Sequence, residues 1–173
     1  MLKDLLVPIT CLAVAVPSTC RAMKISKTSD ATFQVFEVVD CATKGSTPKA
    51  FAEKDGHEQT YCIPAEPFIT RKHLKSSDTC KKNNGEPLLN IDLTEEGAQR
   101  MERVTQRLLA KHTAKTDRAR VAVFIKGKLI SVPILHDVIQ DRFLLEGFTD
   151  QEMQSMVEAL GGSRECRSIM LGP

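Results

Sequence analysis

The stretch Pro87-Leu-Leu-Asn-Ile-Asp-Leu93-Thr94-Glu-Glu-Gly97-Ala-Gln-Arg-Met101 changes its hydrophobic period at Thr94. Before that residue, Leu88, Leu89, Ile91 and Leu93 make a β-type run; after it, apolar side chains recur at helical spacing. Ala98, Met101, Val104, Thr105, Leu108 and Leu109 would form one inward stripe. The Thr94 hydroxyl is placed to cap the free N–H groups of the first turn, where Glu95 and Glu96 complement the helix dipole. Arg100, Arg103, Arg107 and Lys111 fall largely off the stripe and read as a solvated face. A strand feeding a capped helix is therefore the nucleus of the fold.

Downstream, Val121 to Ile125 and Lys128 to Leu135 flank Lys126-Gly127, a β-hairpin in which Gly127 supplies the positive φ of a tight turn. Arg142 to Phe148 reads as a further strand, bent at Gly147. Thr149-Asp-Gln-Glu152 is a capping box, with Glu152 three residues after its cap. It opens a second helix whose Met153, Met156, Val157 and Leu160 face inward as core filling. Gly161-Gly162 ends that helix, and in the tail, residues 162–173, Ile169 to Leu171 is a possible short strand.

Upstream, Phe33 to Asp40 alternates like a strand. Residues 42–60 carry Gly45, Pro48, Gly56 and many charges, and read as loop. Tyr61 to Thr70 contains Pro64 and Pro67, so it fits an edge strand or an irregular extended segment. His73 to Ser77 offers one helical turn at most, and Asn83-Asn84-Gly85 is a turn. The order implies an α+β fold: a mostly antiparallel sheet with two helices packed on one face.

Leu5 to Val16 is almost wholly apolar, long enough for a signal-peptide core and too short to span a bilayer. Residues 1–22 are expected to be a signal peptide, with small-residue cleavage contexts ending at Ala15 and Ala22. Residues 23–32 then form a polar linker and residues 33–161 the folded domain. The reading places the mature chain in the periplasm or another extracytoplasmic space, with no transmembrane segment. The competing reading of the N-terminus is a buried strand or helix. Cleavage after Ala22 leaves Cys41, Cys62, Cys80 and Cys166, an even set that permits three pairings. Cys41 with Cys62 is favoured, because both flank the polar loop and a bridge would tie off its base. The pairing of Cys80 and Cys166 stays open.

Reactive chemistry is hard to find. Lys+Arg and Asp+Glu number 24 and 22 and interleave, and with no Trp and one Tyr there is neither an electrostatic footprint nor a stacking platform for nucleic acid. No phosphate-cradling glycine loop or nucleophile elbow occurs. Cys-x-x-Cys and His-x-x-x-His are both missing, and the four His are scattered, so no metal site is expected. His136-Asp137 is the one His–acid neighbour pair in a structured region, and neighbours on a strand point to opposite faces. The expectation is a non-enzymatic chain with no cofactor and no catalytic residue; a cluster of His136 with Ser131 or Cys166 would revive a hydrolase.

Several motifs in order resemble one family. Glu86-Pro-Leu-Leu-Asn-Ile-Asp-Leu-Thr-Glu-Glu-Gly-Ala-Gln-Arg-Met101 is similar to the "F-x-L-T-x-E-G-A-x-x-F" region in the head subdomain of the first periplasmic domain of SecD, of the SecDF protein-export family. Val121 to Leu135 resembles that family's "L-A-I-V-L-D-G-x-V-I-S-A-P-V-I", and Phe148-Thr-Asp-Gln-Glu-Met153 resembles "F-T-x-E-E-A". Glu66-Pro-Phe-Ile-Thr70 with Leu74-Lys75 resembles "P-V-L-T-G-x-D-L-K". The likeness runs from about Phe33 to Leu160. It implies an α+β lobe that contacts preproteins emerging from a translocon and swings against a base subdomain, driven by proton flow through membrane helices. This chain departs from that pattern: it carries no membrane helices and no base, so the motor is not expected to carry over. The resemblance implies a stand-alone polypeptide-binding domain, accessory to protein export or envelope quality control. The alternative is a structural or assembly protein pairing with one specific envelope partner.

Overall fold

The computed structural model describes residues 32–52, 56–112 and 118–163. In chain order these form β1 (Phe33–Glu37), β2 (Thr47–Ala52), β3 (Glu58–Ile63), β4 (Ile69–Thr70), a 3-10 turn (Arg71–His73), β5 (Leu74–Lys81), β6 (Pro87–Leu93), α1 (Glu95–Lys111), β7 (Val121–Ile125), β8 (Lys128–Ser131), β9 (Arg142–Glu146) and α2 (Asp150–Leu160). The class is α+β, and every ladder between named strands is antiparallel. The strands divide among three sheets, in the orders β4-β1-β7-β8, β2-β3 and β5-β6-β9.

β7 is the centre of the four-stranded sheet, and its five residues, Val-Ala-Val-Phe-Ile, are all buried. A continuous apolar run is what a strand covered on both faces requires. Val121, Val123 and Ile125 join Phe33 and Val35 of β1 in the main core, with Met101 and Leu108 of α1 and Met153, Val157 and Leu160 of α2. Ala122 and Phe124 point to the other face and pack with Phe36 and Ile63 as a second, smaller cluster. There the Phe36 and Phe124 rings meet edge to face, with centroids 5.3 Å apart. The β7–β8 turn places Lys126 at φ 51° and Gly127 at φ 74°. Two successive positive φ values mark a type I′ connection, whose twist matches that of the strands it joins.

Two readings from sequence are corrected. Residues 42–60 are not simply loop: they hold β2 and the start of β3, paired from Thr47↔Ile63 to Ala52↔Glu58. All of β2 except Phe51 is exposed, so this strand has no buried face and leaves no alternating signature. Where one helical turn was expected at residues 73–77, the turn ends at His73 and β5 begins at Leu74. β5 pairs with β6 along its length through a shift between Leu74 and Ser76. Its polar residues Ser77 and Asp78 are buried by tertiary contacts that composition does not announce. Ile169 to Leu171 and residues 1–31 lie outside the described residues.

Candidate functional site

A cleft of about 680 Å³ opens between the edge of the main core and β9. Its floor is apolar and includes Val35 of β1, Met101 of α1, Val121 and Val123 of β7 and Leu145 of β9. The wall is the segment from Pro133 to Asp141, which joins β8 to β9. This wall is strapped at both ends. At its start the Arg120 guanidinium donates to the carbonyl of Val132 (3.2 Å), the Leu135 N–H to Ala119 (2.8 Å) and the Val121 N–H to Pro133 (3.3 Å). At its far end the Ile139 N–H donates to the Thr105 hydroxyl (3.1 Å), which itself donates to the carbonyl of Met101 (2.8 Å). The Leu93 N–H then donates to the carbonyl of Asp141 (2.8 Å), bringing the chain alongside β6.

His136, Asp137, Gln140 and Asp141 form an exposed polar rim above this floor. Arg142 leaves the rim toward the outer face of β5-β6-β9, where its Nε donates to Asp92 (2.6 Å). Asp92 also accepts from the Ser76 hydroxyl (2.9 Å) and the Asn90 amide (3.4 Å), and Asn90 donates to buried Asp78 (3.2 Å). Burial opposes the charge on Asp92, but these donors outweigh it and hold the carboxyl below its ordinary value. The Asp92 contact in turn raises Arg142. Sequence reading passed over this network. Asn90 and Asp92, two apart on β6, were its available signal.

The start of α1 is joined to the turn before β5. The buried His73 accepts the Thr70 N–H at Nδ1 (2.9 Å), so its proton sits on Nε2, which faces Glu96 at 3.4 Å without a well-aligned hydrogen bond. Burial, with Arg100 and Lys72 nearby, holds the imidazole below its ordinary pKa. Thr94 Oγ1 accepts from the Gly97 N–H (3.2 Å). Thr149 Oγ1 accepts from the Glu152 N–H (3.3 Å), and the Glu152 carboxylate accepts from the Thr149 N–H (2.8 Å). Cys41 and Cys62 are joined by a disulfide with Cα atoms 5.1 Å apart. Cys80 is disulfide-bonded too.

His136 and Asp137 stand on an exposed rim, and the Asp137 carboxylate is turned to the N–H of Val138 (2.7 Å). Among the described residues, no three His, Cys, Asp or Glu side chains are grouped to hold a metal ion, and no helix is long and apolar enough to cross a membrane.

Comparison with known proteins identifies the family. The family model for the SecDF P1 head subdomain matches residues 48–162. The protein translocase subunit SecD of Aquifex aeolicus (strain VF5) is 29% identical over 145 residues, which are 79% of this chain and 27% of that protein. The chain thus spans about a quarter of that relative's length. Among solved structures, SecDF in its super-membrane-facing form superposes with a TM-score of 0.54 at 18% identity, covering 78% of this chain and 19% of that one. A second SecDF structure, of a membrane component that enhances protein export, gives 0.54 at 17% identity, covering 82% and 70%. These two likenesses speak to the fold, and the family model covers most of the described residues: the chain belongs to the SecDF P1 head subdomain family.

Proposed function

We propose that this chain is an extracytoplasmic, non-enzymatic domain that binds polypeptide in the service of protein export or envelope quality control. The observation that carries the reading is the strapped cleft, an apolar floor beside a sheet edge, in a chain of the SecDF P1 head family. Such a surface accepts many sequences, because apolar contact is non-directional and backbone hydrogen bonds ignore side-chain identity. The apolar run Leu5 to Val16 and the Cys41–Cys62 disulfide support an oxidising compartment outside the cytoplasm.

Purified protein mixed with several unrelated unfolded polypeptides, read by fluorescence anisotropy, tests this. Saturable binding to most of them is the expected result. Absence of binding at high micromolar concentration, under conditions where a SecD head binds, sinks the reading. Binding confined to a single folded envelope protein would favour an assembly role instead.

A further inference from the structure

The sheet β5-β6-β9 turns one face to the main core, where Leu89, Ile91 and Leu145 join Met153, Val157 and Leu160 of α2. Strand alternation puts Asp78 and Cys80 of β5, with their partners Asn90 and Leu88 of β6, on the other face. Asp78 and Asn90 are each 2% exposed, Cys80 3% and Leu88 1%. Both helices bury their apolar stripes in the main core, so neither covers these four residues. Lys82 and Arg142 reach across the two ends of this outer face, to Glu146 and Asp92. A sheet face with no covering layer leaves such side chains in water, so its middle needs another cover.

The chain after α2 is directed there. Gly161, at φ 67°, turns it out of the helix. Gly162 then passes so near β5 that a Cβ on it would collide with the carbonyl and hydroxyl of Ser77. The Ser163 N–H donates to the Ser77 carbonyl (3.0 Å), and Asp78 and Ser163 form a parallel bridge. That bridge is isolated among the described residues, so nothing in it holds the following segment to the edge of β5.

Cysteine count selects the occupant. Cys80 is disulfide-bonded, and Cys41 and Cys62 hold each other. Of the six Cys in the chain, Cys11, Cys20 and Cys166 remain as partners. Cys166 lies three positions beyond Ser163, and Cys80 two beyond Asp78, the bridge partner of Ser163. Three residues span at most about 10 Å, enough to bring Cys166 over the outward-facing Cys80.

We propose that Cys166 is the disulfide partner of Cys80, and that the bridge clamps residues 164–171 over the outer face of β5-β6-β9. The apolar run Ile169 to Leu171 lies against Leu88, which is paired with Cys80 across the strands. Forming the bridge joins the two sulfurs with loss of both thiol protons and two electrons. A small-molecule or protein disulfide takes them by thiol exchange and leaves as two thiols.

The test uses the full chain, refolded in a buffer of oxidised and reduced glutathione. Tryptic digestion of the unreduced, thiol-blocked protein, read by mass spectrometry, is expected to yield residues 76–81 joined to residues 165–167. Residues 76–81 joined to a peptide holding Cys11 or Cys20, or carrying a blocked thiol, overturn the pairing. Amide hydrogen exchange reads the cover. In Cys166→Ser, residues 76–81 are expected to exchange about tenfold faster or more, while β7 keeps its protection. Ile169→Ser with Leu171→Ser, bridge intact, is expected to speed the same residues, and decides if Cys166→Ser fails to fold. Exchange at the parent's rate in the folded variants overturns the cover even where the bridge is found.

Discussion

Gly97 of α1 lies so close to His73 that a Cβ on residue 97 would stand 2.6 Å from the His73 carbonyl oxygen and 2.9 Å from its Cβ. That same oxygen accepts the N–H of the capping residue Thr94 (2.8 Å). The helix start and the turn before β5 are thus one joint, and the glycine of the Thr-Glu-Glu-Gly run is there for close approach.

Gly97→Ala should destabilise the domain by about 1–3 kcal/mol, the usual cost of overpacking a close contact. Alanine's better helix propensity, about 1 kcal/mol, offsets only part of this. Urea denaturation followed by far-UV circular dichroism measures the difference. A variant as stable as the parent would show that the joint can open without loss.

His73 should make stability depend on pH. Its folded pKa is lowered by burial, with Arg100 and Lys72 adding to the effect and Glu96 opposing it. The unfolded chain titrates near the ordinary value of about 6.5, so below it the unfolded state binds the extra proton first. Stability is complete above about pH 6.5 and falls as pH drops toward the folded pKa. Glu96 is also lowered, chiefly by Lys72, but its loss comes in the lower carboxylate range. Denaturation midpoints between pH 5 and 7 should fall for the parent and stay flatter for His73→Asn, whose amide oxygen can accept the Thr70 N–H without titrating.

Replacing Cys41 and Cys62 by Ser should cost about 3 kcal/mol in the chain-entropy account of a loop spanning 21 positions. The loss should concentrate in the β2–β3 hairpin, because β2 is almost wholly exposed and brings little packing of its own. Amide hydrogen exchange would then rise at residues 47–63 well before it rises in β6 and β7. Uniform loss of protection would show the bridge to be a global staple.

Thr149→Ala should destabilise by about 1 kcal/mol, through loss of the hydroxyl that accepts the Glu152 N–H. Thr149→Ser should recover most of it. Thermal melts of the two variants against the parent decide, and an unchanged midpoint for alanine would leave the box without energetic weight.

Much of the framework is written in neighbouring residues. The period switch at Thr94, the cap at Thr149 followed by Glu152, the Lys126-Gly127 turn and the all-apolar run of β7 each involve residues a few positions apart, whose chemistry acts on their own backbone. The SecD-like order of motifs is legible for the same reason. β2 and β5 are not, since an exposed ribbon and a strand burying Ser77 and Asp78 lack a periodic stripe.

The sequence by itself determined which segments become helix, turn and central strand, because propensity, capping and hydrophobic period are local. Only the tertiary structure decided that β9 is the last described strand of its sheet, that residues 133–141 wall a cleft, and that Asp92 gathers Ser76, Asn90 and Arg142. The Asp92 cluster joins residues far apart in the chain, from Ser76 to Arg142, and the cleft joins Val35 to Leu145, and both depend on strand register. Register is chosen by the burial of whole faces at once, which no single stretch of chain encodes.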